Sequence, residues 1–229
     1  MLVAAGLALG IVGMGGGPAI ADDLGSQGDL VLTQFREVLA ERAAANPAGE
    51  SDLEAFDALT ADQRMDLADY FLGESETVEP TPNAEQSIAP DGSMTYTDGD
   101  LSWGESALVP RQTMAATTSR SVWGTQWFAF AGIKITETKV SGTFTTSGGK
   151  ASAISSYACT VVQNLDPMTQ VKAAKNAAYV SGGKAYFKCK VTVKRGAPTP
   201  WGQVTWSTRE AIQYVRAGGS GVVEANGWE

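Results

Sequence analysis

Between Ala185 and Lys194 the chain alternates two kinds of side chain: Phe187, Cys189, Val191 and Val193 at odd positions, and Tyr186, Lys188, Lys190, Thr192 and Lys194 at even ones. Successive residues of a strand point to opposite faces, so the odd set reads as core and the even set as an exposed face carrying three ammonium groups in a row. Arg195 is expected to continue that charge. With Lys134, Lys139, Lys172, Lys175 and Lys184 elsewhere in the same region, such a row attracts polyanions: an anionic cell-wall polymer, an acidic glycan or another anionic surface. The candidate binding residues are therefore Tyr186, Lys188, Lys190, Lys194 and Arg195. The plainer reading of the same row is a soluble sheet face whose lysines guard an edge.

Catalytic chemistry is narrowed by composition. The sequence contains no histidine, which excludes Ser-His-Asp and Cys-His devices and imidazole ligation of zinc. Ser147 and Lys150 have the spacing of a serine-lysine pair, but Ser147-Gly148-Gly149-Lys150 reads as a hairpin turn, where a solvated lysine is a poor base. Seven acids of the C-terminal region, Asp100, Glu105, Glu137, Asp166, Glu210, Glu224 and Glu229, could in principle supply the carboxyl pair of a glycosidase. No phosphate-cradling loop and no calcium-loop pattern accompanies them. The expectation is a non-catalytic protein with no cofactor and no metal. A carbohydrate-binding or glycan-active protein is the second reading, with Trp201 and Trp228 as loop aromatics and Trp123 and Trp127 as core. A pore-forming hairpin over 140–156 is the third.

The elements that must position these groups follow from charge and periodicity. Residues 1–99 hold 18 acidic against 3 basic residues, whereas 100–229 hold 7 against 14, so two regions of opposite sign share the chain. Residues 1–21, an apolar leader ending in Ala19-Ile20-Ala21 before Asp22-Asp23, predict a signal peptide cleaved after Ala21 and hence a secreted chain. Residues 22–73 read as a small acidic helical region: Leu32, Phe35 and Leu39 recur at helical spacing, and Ser51–Glu54 and Thr60–Gln63 have the form of capping boxes. Met65, Ala68 and Leu72 are expected on its core face, and Gly73 as its stop. Residues 74–99, acidic and rich in proline, are expected to be a disordered, flexible linker.

From 100 to 229 the residue types become those of strands, bounded by Ser-Gly-Gly-Lys turns at 147–150 and 181–184. The expected fold is mainly β: an antiparallel β-sandwich or small barrel with one disulfide, preceded by the helical region and the linker. Cys159 and Cys189 both fall at core positions of their strands, and a bond between them closes a loop worth about 3.6 kcal/mol on the chain-entropy account. The acidic helices, left with apolar stripes to cover, are expected to pack on the basic domain, where they would shield the lysine row.

Overall fold

The computed structural model describes residues 19–73, 85–89, 93–107, 117–199 and 202–229. Three helices come first: α1 (Ala19–Ala45), α2 (Pro47–Asp57) and α3 (Ala61–Leu72). α1 sets Val31, Phe35 and Leu39 four residues apart on one buried face, as an amphipathic helix must. α2 begins earlier than its expected box at Ser51. Asn46 accepts the Gly49 N–H and Pro47 opens the first turn, a start signal that leaves Ser51 and Glu54 inside the helix. At α3 the expected box is observed, with Thr60 and Gln63 bonded reciprocally and Gly73 closing the helix at φ 78°.

The buried face of α3 is Leu67, Ala68 and Phe71, whereas Met65 is 60% exposed. The reason is the helix crossing: the Phe71 ring approaches the Phe35 ring to 4.9 Å, which turns Met65 toward solvent. Arg36 bonds both carboxylate oxygens of Asp57, and the Arg64 guanidinium donates to the carbonyls of Phe56, Asp57 and Leu59. The Arg64 bonds to Phe56 and Asp57 serve carbonyls at the end of α2, where intrahelical donors run out.

Ten strands follow among the described residues: β1 (Glu85–Ile88), β2 (Met94–Asp98), β3 (Leu101–Ala107), β4 (Thr117–Phe130), β5 (Ile133–Ser147), β6 (Lys150–Asn164), β7 (Thr169–Ser181), β8 (Lys184–Thr199), β9 (Gly202–Ala217) and β10 (Val223–Trp228). β1 and β2 occupy part of the stretch expected as linker. β1 is exposed along its length, and β2 pairs with β3. β9 is one continuous strand of 16 residues. The strands form two antiparallel sheets, β1-β2-β3-β4-β5-β6 and β10-β9-β8-β7, in which every hydrogen-bonded neighbour is also a neighbour in sequence.

The tight hairpins β5–β6 and β7–β8 turn at Gly148-Gly149 and Gly182-Gly183, all four with φ between 57° and 75°. Two consecutive positive φ values give a turn whose twist matches the flanking strands, and glycine reaches them without strain. One seam between the sheets is made by β6 running into β7. At the other, the Asn226 amide of β10 donates to the carbonyls of Ser106 and Thr125. The Cys159–Cys189 disulfide, with Cα atoms 5.7 Å apart, ties β6 to β8 across the two sheets.

The interior has two apolar clusters. At one end, Phe130, Ile133, Ile135, Leu165 and Met168 of the sandwich share a cluster with Val31, Phe35, Leu39, Phe56, Leu67 and Phe71 of the helices, so the helical region closes that end. Further along, Val122, Val140, Phe144, Phe187, Cys189 and Val215 form the second cluster. There the Phe187 ring lies flat against β5 at Gly142, where a Cβ would stand 2.2 Å from a ring carbon. Apolar residues of the 140–156 hairpin, Val140, Phe144 and Ala151, face this cluster. No described helix is long and apolar enough to cross a membrane.

Candidate functional site: a cavity between the sheets

Between the two clusters the sheets part around a cavity of about 710 Å³, inside the roughly 300–1,000 Å³ range of small-molecule sites. Its walls are largely apolar, with Trp103 and Phe128 from one sheet and Val171, Val191 and Val193 from the other. Helix α3 closes one side through Tyr70, whose ring stacks on Phe128 at 5.0 Å. The polar residues at its wall are Gln126, Thr136, Thr138, Arg195, Ser207 and Arg209.

Two polar groups here are buried without a partner. Thr138 is 2% exposed and lines the cavity, yet its Oγ1 has no hydrogen bond; Gln213 beside it is 0% exposed and its Oε1 has none. The Gln213 amide nitrogen donates to the Thr138 carbonyl at 3.3 Å, which places the two groups together. Leaving such a group unpaired costs about 1–3 kcal/mol, a cost recovered when a ligand supplies the missing partner.

The register of the strands explains how the arginines arrive. Val171, Val193 and Arg209 lie opposite one another on β7, β8 and β9, and Thr169, Arg195 and Ser207 form the next row. Arg195 shares the odd parity of Val191 and Val193, so it turns inward and is not part of the exposed lysine face where sequence placed it. Its guanidinium donates to the Tyr70 carbonyl and lies over the Tyr70 ring at 5.0 Å, and its second nitrogen meets Asp166 at 3.4 Å. Asp166 also accepts the Met168 N–H at 2.8 Å.

Burial pushes the Asp166 carboxyl up to about 6, against the lowering effect of Arg195 and the hydrogen bonds from Met168 and Thr169. A carboxyl whose pKa is higher folded than unfolded binds more protons in the folded state, so its contribution to stability falls as pH rises from about 4 to 6. Asp166→Asn is therefore expected to flatten the pH dependence of the urea midpoint between pH 4 and 7 relative to the parent chain. Parallel pH profiles for the two proteins would refute that role for Asp166.

The other sequence-predicted residues lie on the outer face of the second sheet. Tyr186, Lys188, Lys190 and Lys194 share that face, but two of the three lysines meet acids of the same sheet: Lys188 Nζ lies 2.6 Å from Glu229, and Lys190 Nζ 2.7 Å from Glu210. The hydrogen bond to Glu229 raises the Lys188 pKa, and that to Lys190 lowers the Glu210 pKa. The helices pack at the end of the sandwich and so do not provide these acids. Apolar burial there outweighs what surface ion pairs could offer, at about 0–1 kcal/mol each.

The carboxylates considered for glycoside chemistry each have a partner of their own. Asp100 accepts from Gln63, Glu105 from Gln126, Glu137 from Lys134, and Glu224 pairs with Lys184. No cluster of acids or cysteines that could hold a metal occurs among the described residues. Trp123 and Trp127, expected as core, are half-buried beneath the ammonium groups of Lys139 and Lys134 at 4.7 and 5.7 Å. Trp228 is exposed and borders the cavity, and Trp201 lies outside the described residues.

Sequence reasoning missed Thr138, Gln213, Ser207 and Arg209. A usable signal was present in Gln213, a polar residue at the parity of Val215 and Ala217, because a buried polar position in an apolar row marks a special environment. No protein-family model, curated protein or solved structure matches this chain.

Proposed function

We propose that this chain is a non-catalytic, exported binding protein that holds a small ligand with an apolar body between its two sheets. The observation that carries this reading is the 710 Å³ cavity with the unpaired Thr138 hydroxyl at its wall. Up-and-down antiparallel meanders folded on themselves enclose such spaces readily, since inward side chains need not fill the whole interior. Export rests on the leader and on the disulfide, a bond that persists in oxidising compartments; residues 1–18 lie outside the described residues, and a secreted form is expected to begin at Asp22.

An uncharged fluorescent hydrophobe, N-phenyl-1-naphthylamine, tests the reading. Saturable enhancement at one site per chain is expected, and Val193→Trp, which fills the cavity, is expected to abolish it while leaving the circular dichroism of the protein unchanged. Absence of saturable binding, or binding untouched in a folded Val193→Trp protein, would overturn it.

The outer face supports a second reading, contact with an extracellular polyanion such as an acidic glycan. Lys172 and Lys194 have no ion pair among the described residues, and the same face holds the stacked Tyr179 and Tyr186 rings, 4.9 Å apart. Retention on immobilised heparin that weakens steeply with salt, and weakens further in a Lys172→Gln/Lys194→Gln protein, is the expected behaviour on this reading. Retention unchanged by the substitutions would remove it.

A further inference from the structure

Resting on the cavity reading, we propose that the cavity selects an anionic amphiphile of the fatty-acid type, its carboxylate held at Arg209 beside Ser207 and its chain laid between Phe128, Val191 and Val193. Three observations carry this. The first is charge: Arg209 lines the cavity and no carboxylate does, while the other lining arginine, Arg195, is paired with Asp166 behind the wall. The nearest acids are already engaged, Asp166 with Arg195 and Glu105 with Gln126. Arg209 forms no ion pair among the described residues, so its charge is available to a ligand.

The second is placement. Val193 pairs with Arg209 and Arg195 with Ser207 on adjacent strands, which sets the two arginines at a diagonal of one inward face, about 7–8 Å apart at the backbone. Arg195 is held there by Asp166 and the Tyr70 carbonyl, which leaves the Arg209 guanidinium as the planar donor pair for a carboxylate, the pairing in which arginine is most effective. Ser207 stands beside them as a further donor.

The third is an entry. β10 pairs with β9 from Ala217 only as far as Gln213, followed by backbone bonds between Ile212 and Glu229. Toward Ser207 and Arg209, β9 runs on with β8 as its one partner strand among the described residues. Among the described residues the cavity borders this edge of β9, where Arg209 is exposed and Trp228 stands at the rim. A ligand entering there leaves its charged end at Arg209 and carries its chain inward.

The experiment compares dodecanoate with dodecan-1-ol, equal in chain and different in charge, by titration calorimetry on the parent protein and on Arg209→Gln. Arg209 is exposed and remote from both apolar clusters, so this variant keeps the fold. Dodecanoate is expected to bind at least tenfold more tightly than dodecan-1-ol, and Arg209→Gln to remove most of that difference by weakening dodecanoate alone about tenfold. If the parent binds both equally, or if Arg209→Gln leaves the preference intact, the anionic assignment falls while the cavity reading stands. If neither compound binds, the cavity reading falls with it.

Discussion

Replacing Cys159 and Cys189 together by alanine is expected to lower stability by about 3.6 kcal/mol, the chain-entropy value for a closed loop of this length. For a protein of this size that is a fall of roughly 7–14 °C in thermal midpoint. The bond joins an edge strand of one sheet to an inner strand of the other, so its loss frees β6 from β8 in the unfolded chain and removes a covalent tie between the layers in the folded one. Scanning calorimetry of the parent and the double variant gives the measurement. Equal midpoints would mean that the reduced chain is held in the same loop by other contacts.

The second large effect is expected at Phe35. Its ring is fully buried against Phe56 and Phe71, at centroid distances of 5.5 and 4.9 Å, so Phe35→Ala leaves a cavity that these rings cannot collapse into. The cost of such a truncation is about 3–5 kcal/mol. Because the same cluster includes Phe130, Ile133 and Ile135 of the sandwich, the loss is expected to shift helical circular dichroism and tryptophan fluorescence to the same lower urea concentration. A helical signal that melts early while the fluorescence midpoint stays in place would show that the helices and the sandwich unfold separately. Tyr70 of α3 also borders the cavity, and the variant is expected to hold the naphthylamine probe less tightly.

Much of this architecture was legible because it rests on local rules. The two Ser-Gly-Gly-Lys turns required positive φ at both glycines, Thr60–Gln63 specified a helix start, and the odd-even alternation of β8 placed Cys189 inward toward Cys159. Arg195 was misread by following charge across a change of parity. β1 and β2 were missed because their residues are mostly exposed and polar, and pairing with β3 organises them without an apolar pattern. The cavity was the least legible feature, since an empty volume depends on how far two faces stand apart, which no single strand encodes.

The strand order carries a consequence for how the molecule is made. Every ladder joins neighbours in sequence, so each can zip after closing a short loop, and contacts of this kind form early and fast. The seam that completes the sandwich is different in kind: Asn226 must find Ser106 across a separation of 120 residues. Its loop-closure cost is high and its reward is two hydrogen bonds and a limited contact area. The seam is therefore expected to be the last part of the fold to close and the first to breathe. A chain assembled in this order stands for a time as an open clamp, its two sheets joined on one side only, before the final strand is docked.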